Sequence, residues 1–266
     1  MKKIIATALV LFLASKMLVS QDHSWLTSKV NFSDELKNTK KFTSVDKALA
    51  DPSKVIWLEF YTDELGTNYK KFCENIAKFT NLRKLYIVNY FGTDEKIPKG
   101  LWDLKKLEYL SLDDFKNCPV DGISNLTELK FLNLDEFVFS TFPEEILKLK
   151  NLVILDLSMN KIKELPAGIA ALTNLRELEL TNNCFSEVPA NIELLPQLEY
   201  FIMNNADFKG VIKAGMDNTC ENELAKFPDV FAKMKKLVHV SVFYGVKCDK
   251  DMKKKIKSTY TAIKFT

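Results

Sequence analysis

Two histidines and five cysteines are the ready-made metal ligands and nucleophile partners in this chain of 266 residues. The cysteines stand at 73, 118, 184, 220 and 248 and the histidines at 23 and 239. No H-E-x-x-H, G-x-S-x-G, phosphate loop or paired C-x-x-C occurs. No motif therefore nominates a metal, a cofactor or a covalent catalyst, and the protein reads as a non-enzyme. The chemistry on offer is recognition. Carboxylates at Asp113, Asp114, Asp135, Glu136, Asp156, Glu177 and Glu179 suit cationic groups. Trp57, Tyr61, Tyr86, Tyr109, Phe131, Tyr200, Phe243 and Tyr244 are residue types that anchor interfaces. Whether the two sets meet depends on the elements that carry them.

With 47% hydrophobic residues and 19 Phe, the chain can fill a core, which excludes global disorder. Eight Gly and eight Pro exclude a collagen-like chain, and five Cys are too few for a disulfide-stapled miniprotein. The formal charge of +3 arises in the first twenty residues, and beyond them 35 basic residues face 35 acidic ones. That balance gives no reason to expect a nucleic-acid partner. Residues 1–20 read as a signal peptide: Lys2 and Lys3, an apolar run from Ile4 to Leu13 broken by Thr7, then Lys16 and a junction near Ser20. The run is too short to span a bilayer, and no second run of membrane-spanning length follows. The expectation is a secreted or periplasmic protein with no transmembrane segment, and the two-lysine start looks bacterial. The plain alternative is a short buried helix. Only two of the 38 basic residues are arginines, Arg83 and Arg176, and no function is drawn from that bias.

Self-similarity dominates the rest. Leu107-Glu-Tyr-Leu110-Ser-Leu112 is echoed by Leu129-Lys-Phe-Leu132-Asn-Leu134, Leu152-Val-Ile-Leu155-Asp-Leu157, Leu175-Arg-Glu-Leu178-Glu-Leu180 and Leu198-Glu-Tyr-Phe201-Ile-Met203. Looser copies start at Val55, Leu82 and Leu237. The successive steps are 27, 25, 22, 23, 23, 23 and 39, the last being 23 with an insertion of 16. A second half follows, as in Leu165-Pro166-x-x-Ile169-x-x-Leu172 and Val188-Pro189-x-x-Ile192-x-x-Leu195. Alternating leucines predict a strand with one buried face. The Ile-x-x-Leu spacing predicts one apolar stripe on a short helical turn, with Pro at its start. One unit cannot bury its leucines alone, so the units must stack.

This pattern resembles the leucine-rich repeat family in its 23-residue form, over about residues 55–248. The resemblance implies an α/β solenoid: a parallel concave β-sheet of about eight strands, with short helices or 3-10 turns on the convex side. Asn160 and Asn183 occupy the family's turn asparagine, which satisfies backbone groups. Tyr90, Phe115, Phe137 and Ala206 replace it elsewhere. An aromatic ring cannot accept those N–H bonds, so these turns are expected to be less regular, with their rings packed inward.

In such a strand the residues flanking the inner leucines face the concave side. The third positions read Trp57, Lys84, Tyr109, Phe131, Ile154, Glu177, Tyr200 and His239; the fifth, Glu59, Tyr86, Ser111, Asn133, Asp156, Glu179, Ile202 and Ser241. The seventh and eighth add Tyr61, Asp113, Asp114, Asp135, Glu136, Phe243 and Tyr244. The acids cluster mid-sheet with the aromatics around them, and that is the predicted ligand-binding face. Its plain alternative is a solvated acidic surface whose rings pack on one another. No calcium-loop spacing supports a metal between Asp113 and Asp135. A hydrolase built on His239 with Glu177 is unattractive, because the two lie two units apart.

The predicted organisation is a signal peptide over 1–20, an N-terminal cap over 21–54, repeats over 55–248 interrupted at 207–222, and a C-terminal cap over 249–266. The N-terminal cap is expected to be irregular up to Thr43 and then helical from a Ser44 N-cap. Asp249–Tyr260 is expected to be helical and Thr259–Phe265 a short strand. The ten lysines between Lys233 and Lys264 either meet an anionic surface or solvate the cap. Cys220 and Cys248 are expected to form a disulfide, with Cys73, Cys118 and Cys184 as thiols. The functional expectation is an interaction module for a protein or peptide. Carbohydrate or cell-wall glycan binding is the alternative, and an unrecognised hydrolase carries least weight.

Overall fold

A computed structural model describes residues 30–63, 65–89, 95–205, 221–223, 229–242, 246 and 249–266. Ten parallel strands form one open sheet in chain order. They are β1 (Lys41–Phe42), β2 (Trp57–Tyr61), β3 (Lys84–Val88), β4 (Tyr109–Asp113), β5 (Phe131–Asp135), β6 (Ile154–Asp156), β7 (Glu177–Glu179), β8 (Tyr200–Ile202), β9 (His239–Ser241) and β10 (Lys264–Phe265). The register is the repeat itself: Trp57, Lys84, Tyr109, Phe131, Ile154, Glu177, Tyr200 and His239 stand opposite one another in turn. The sheet has ten strands rather than about eight, because each cap adds one. β1 pairs with β2 and β10 with β9, which occupies backbone groups that an open edge would leave bare. The region before Thr43 is also more ordered than expected: α1 (Asp34–Lys37) precedes β1, capped by the Ser33 hydroxyl. Ser44 caps α2 (Val45–Leu49) as predicted.

Inward apolar side chains from the strands, leucines in most and Phe201, Val240 and Phe265 in the last three, join one continuous core running from Val45 to Phe265. On the convex side, the longer first step, from Val55 to Leu82, accommodates α3 (Thr67–Asn75). Later units use 3-10 turns such as Glu144–Lys148, Ala167–Ala171 and Ala190–Leu194, each entered from a proline at 143, 166 or 189. Proline lacks an N–H that would otherwise be orphaned there. Ile146, Ile169 and Ile192 are the buried residues of those turns. α4 (Lys250–Thr259) covers the far end through Ile256.

The turn asparagines form a ladder. Asn160 Nδ2 donates to the carbonyls of Leu134, Leu157 and Ser158, while its Oδ1 accepts from Phe139 N–H. Asn183 repeats this with Leu157, Leu180 and Ile162. The next rung is not Ala206. Asn222 Oδ1 accepts from Phe185 N–H, and its Nδ2 donates to the carbonyls of Leu180 and Asn204. Asn222 is therefore framework, and the extra residues lie between Asn205 and Asn222. Those two asparagines bond reciprocally at 2.8 and 2.9 Å. Phe115 and Phe137 are fully buried, with ring centroids 6.2 Å apart, and Asn117 and Val138 nearby take φ of 56° and 64°. The irregular turns are as expected, and a β-branched residue in that left-handed region is strained.

Cys73 and Cys118 are free thiols, and burial pushes Cys73 up to about 11. Cys184 is disulfide-bonded, which corrects its reading as a thiol. Residues 220 and 248, the expected disulfide pair, lie with most of the insertion outside the described residues.

Candidate functional site

Because register follows the repeat, the concave face is a set of columns. In the third column Lys84 lies between two rings, its Nζ 4.3 Å from the Trp57 centroid and 3.8 Å from that of Tyr109. Tyr109 stacks flat on Phe131 at 4.0 Å. Burial pushes the Lys84 ammonium down to about 8, with Glu59 opposing and Lys41 adding to the shift. Burial likewise raises the Tyr109 and Tyr200 hydroxyls. His239 lies beside Tyr200 with Lys264 opposite it on β10, its Nε2 3.0 Å from Thr266 Oγ1. Burial lowers its imidazole, Lys264 adds to this and Glu177 opposes it.

The seventh column sets Tyr61, Val88, Asp113 and Asp135 opposite one another. Tyr61 meets Tyr86 edge-on at 6.4 Å and stays 49% exposed. In the fifth column Asp156 and Glu179 are opposed. Asp156 Oδ1 accepts from Ser158 N–H, and Glu179 Oε1 accepts from the Thr181 hydroxyl.

Two expectations change. Five of the aromatics are not separate exposed anchors: Trp57, Tyr86, Tyr109 and Tyr200 are half-buried and Phe131 is buried, because neighbouring rings, Lys84 and the Val30–Phe32 segment lie against them. The acids are not a solvated patch either. Asp113, Asp114, Glu136, Asp156, Glu177 and Glu179 are buried, and Asp135 is half-buried. Asp156 and Glu179 turn back to donors two residues on. Asp114 and Glu136 have left the strand: the eighth positions Asp114, Glu136, Met159 and Asn182 take φ of 63°, 58°, 53° and 52°. Each makes the chain's turn off the sheet instead of extending a concave column. Phe243 and Tyr244 lie outside the described residues.

The repeated sequence and the parallel sheet have counterparts among known proteins. Residues 112–214 match the family profile described as a leucine-rich repeat region. The fold is a leucine-rich repeat solenoid. A leucine-rich repeat protein of Leptospira interrogans superposes with a TM-score of 0.60 at 24% identity, over 86% of this chain and 58% of that one. An internalin of Listeria monocytogenes does so with 0.52 at 16% identity, over 80% and 54%. Receptor-like protein 7 of Arabidopsis thaliana is 37% identical over 95 residues. This chain spans only 10% of that receptor-like protein.

Within the solenoid, sequence reading missed the second column. Arg83, Glu108, Lys130, Arg176 and Glu199 occupy it at the strands' N-terminal edge. The buried Glu108 carboxylate takes Arg83 Nη1 at 3.1 Å, Lys130 Nζ at 2.9 Å and Ser33 N–H at 2.8 Å. Arg176 contacts Glu199 through Nε at 2.9 Å and Nη2 at 2.7 Å. Both arginines of the chain are thus placed one unit before a glutamate. The alternating signs were available in the sequence, had that column been written out. Among the described residues no three His, Cys, Asp or Glu side chains converge as a metal site, and no helix is long and apolar enough to cross a membrane.

Proposed function

We propose that this leucine-rich repeat solenoid is a secreted or periplasmic interaction module that holds a protein or peptide on its concave face. The observation that carries the reading is the seventh column: Asp113 directly opposite Asp135, in line with the exposed Tyr61. Two carboxylates side by side on neighbouring strands give this column a negative character, which suits a partner's Lys or Arg. An exposed tyrosine at the column's end supplies area with a polar tip. Leucine-rich repeat proteins commonly serve as interaction scaffolds, which agrees.

The test is affinity capture from cell-envelope and culture fractions with the mature chain beside Asp113→Ala/Asp135→Ala. A captured protein should bind the variant roughly 10-fold or more weakly, and its affinity should fall as salt rises from about 0.05 to 0.5 M. A partner retained by the double variant would remove the seventh column from the interface. Binding that ignores salt but fails in Tyr61→Ala would favour stacking on a glycan.

A further inference from the structure

A different part of the concave face already has an occupant. Residues 30–37 cross the N-terminal edge of β3, β4 and β5 and put two apolar side chains on the third column. A tight turn, with Phe32 N–H donating to the Val30 carbonyl at 2.9 Å, brings both to the face. Val30 packs with Phe131 and Ile154 in a cluster separate from the main core, and Phe32, Tyr109 and Tyr200 border it. The Phe32 ring lies 6.4 Å from that of Tyr109. The backbone is held too: Lys130 Nζ donates to the Asn31 carbonyl at 2.6 Å, and Ser33 N–H donates to Glu108 Oε2 at 2.8 Å. Glu35 reaches Arg83 at 3.4 Å.

These contacts are those of a bound peptide: two apolar anchors, one carbonyl held by a cation, one N–H held by a carboxylate, and an acidic side chain on an arginine. Val30 and Phe32 contribute nothing to the solenoid's central core. We propose that Tyr109, Phe131 and Ile154, with Glu108 and Lys130, form a peptide groove, and that residues 30–37 fill it in cis as an exchangeable strap. The external partner is a peptide of the same chemistry, apolar–x–aromatic–Ser followed by an acid, and it binds by displacing the strap. A tethered segment competes at high effective concentration, so the intact chain binds such a peptide weakly. The groove is separate from the Asp113–Asp135 pair and does not depend on a basic partner.

The probe is a fluorescent synthetic peptide with the sequence of residues 30–37. Its affinity is read by anisotropy for the full chain and for Val30→Asp/Phe32→Asp, which dislodges the strap. The expected result is at least about 10-fold tighter binding to the variant, lost again when Phe131→Asp is added. Equal affinities, or no binding to a variant whose circular dichroism shows it folded, would overturn the proposal. If the variant does not fold, hydrogen exchange at residues 30–37 of the unaltered chain decides: excess probe should accelerate it, and unchanged exchange would sink the idea. In Asp113→Ala/Asp135→Ala, probe binding should stay within about 2-fold, since additive behaviour is expected of sites with no shared partner. Its loss there would overturn the separate groove, whereas a basic partner lost with probe binding intact bears only on the seventh column.

Discussion

Asn160, Asn183 and Asn222 each place one buried amide between carbonyls of adjoining turns and accept one N–H from the preceding unit. Removing such an amide orphans several buried backbone groups at once. Asn183→Ala should cost about 2–3 kcal/mol, and Asn222→Ala should cost the same. Urea unfolding of the two variants checks this, and a near-neutral Asn222→Ala would show that the ladder ends at Asn183. Asn160 and Asn183 were readable from their fixed distance to the strand leucines. Asn222 was not, because the insertion displaces it and a count from Leu198 lands on Ala206. Nothing in that count distinguishes a missing rung from a postponed one.

Glu108 binds elements to one another. Its neighbours in the adjoining units supply Arg83 and Lys130, and the N-cap of α1 supplies the Ser33 N–H. Burial alone would raise its carboxyl, but hydrogen bonds from Lys130 and Ser33 outweigh burial and hold it below the usual glutamate range. A depressed carboxyl stabilises the fold above the unfolded glutamate value of about 4.3, and that contribution is lost as pH falls through the lower folded value. Glu108→Gln should therefore be about 1–3 kcal/mol less stable than the native chain near neutral pH. The gap should shrink below about pH 4, as read from urea midpoints at both pH values. A gap independent of pH would show that packing, not charge, is what the substitution removes. The elements themselves were legible: leucine alternation gave the strands and Pro-x-x-Ile the turns. The edge strands β1 and β10 were harder, since two residues carry too little periodicity to announce a strand.

For the whole molecule, the insertion lengthens one step of an otherwise even register. Every other neighbouring pair from Phe131 to Tyr200 is 23 residues apart, and Tyr200 to His239 is 39. Excising residues 206–221 shortens that step by 16, to 23, and joins Asn205 to Asn222 as Asn182 is joined to Asn183. The excised chain should keep a single cooperative unfolding transition and its sheet circular dichroism. Loss of either would mean that the insertion is part of the fold and not hung from it. The physical reason is stacking, in which each unit leans only on its neighbours.

What the sequence determined by itself is whatever repeats. A leucine at the fourth and sixth position is buried by the same leucines one period away, so the period alone fixes the repeat strands, their register and the third, fifth and seventh columns. What the tertiary structure decided is whatever joins unlike segments. Ser33 meets Glu108 across 75 positions and Asn31 meets Lys130 across 99, with no period to connect them. Exposure belongs to the same class. The columns named Trp57, Tyr109 and Asp156 as outward residues, but only the packing of ring on ring and the local hydrogen bonds set how much of each reaches solvent.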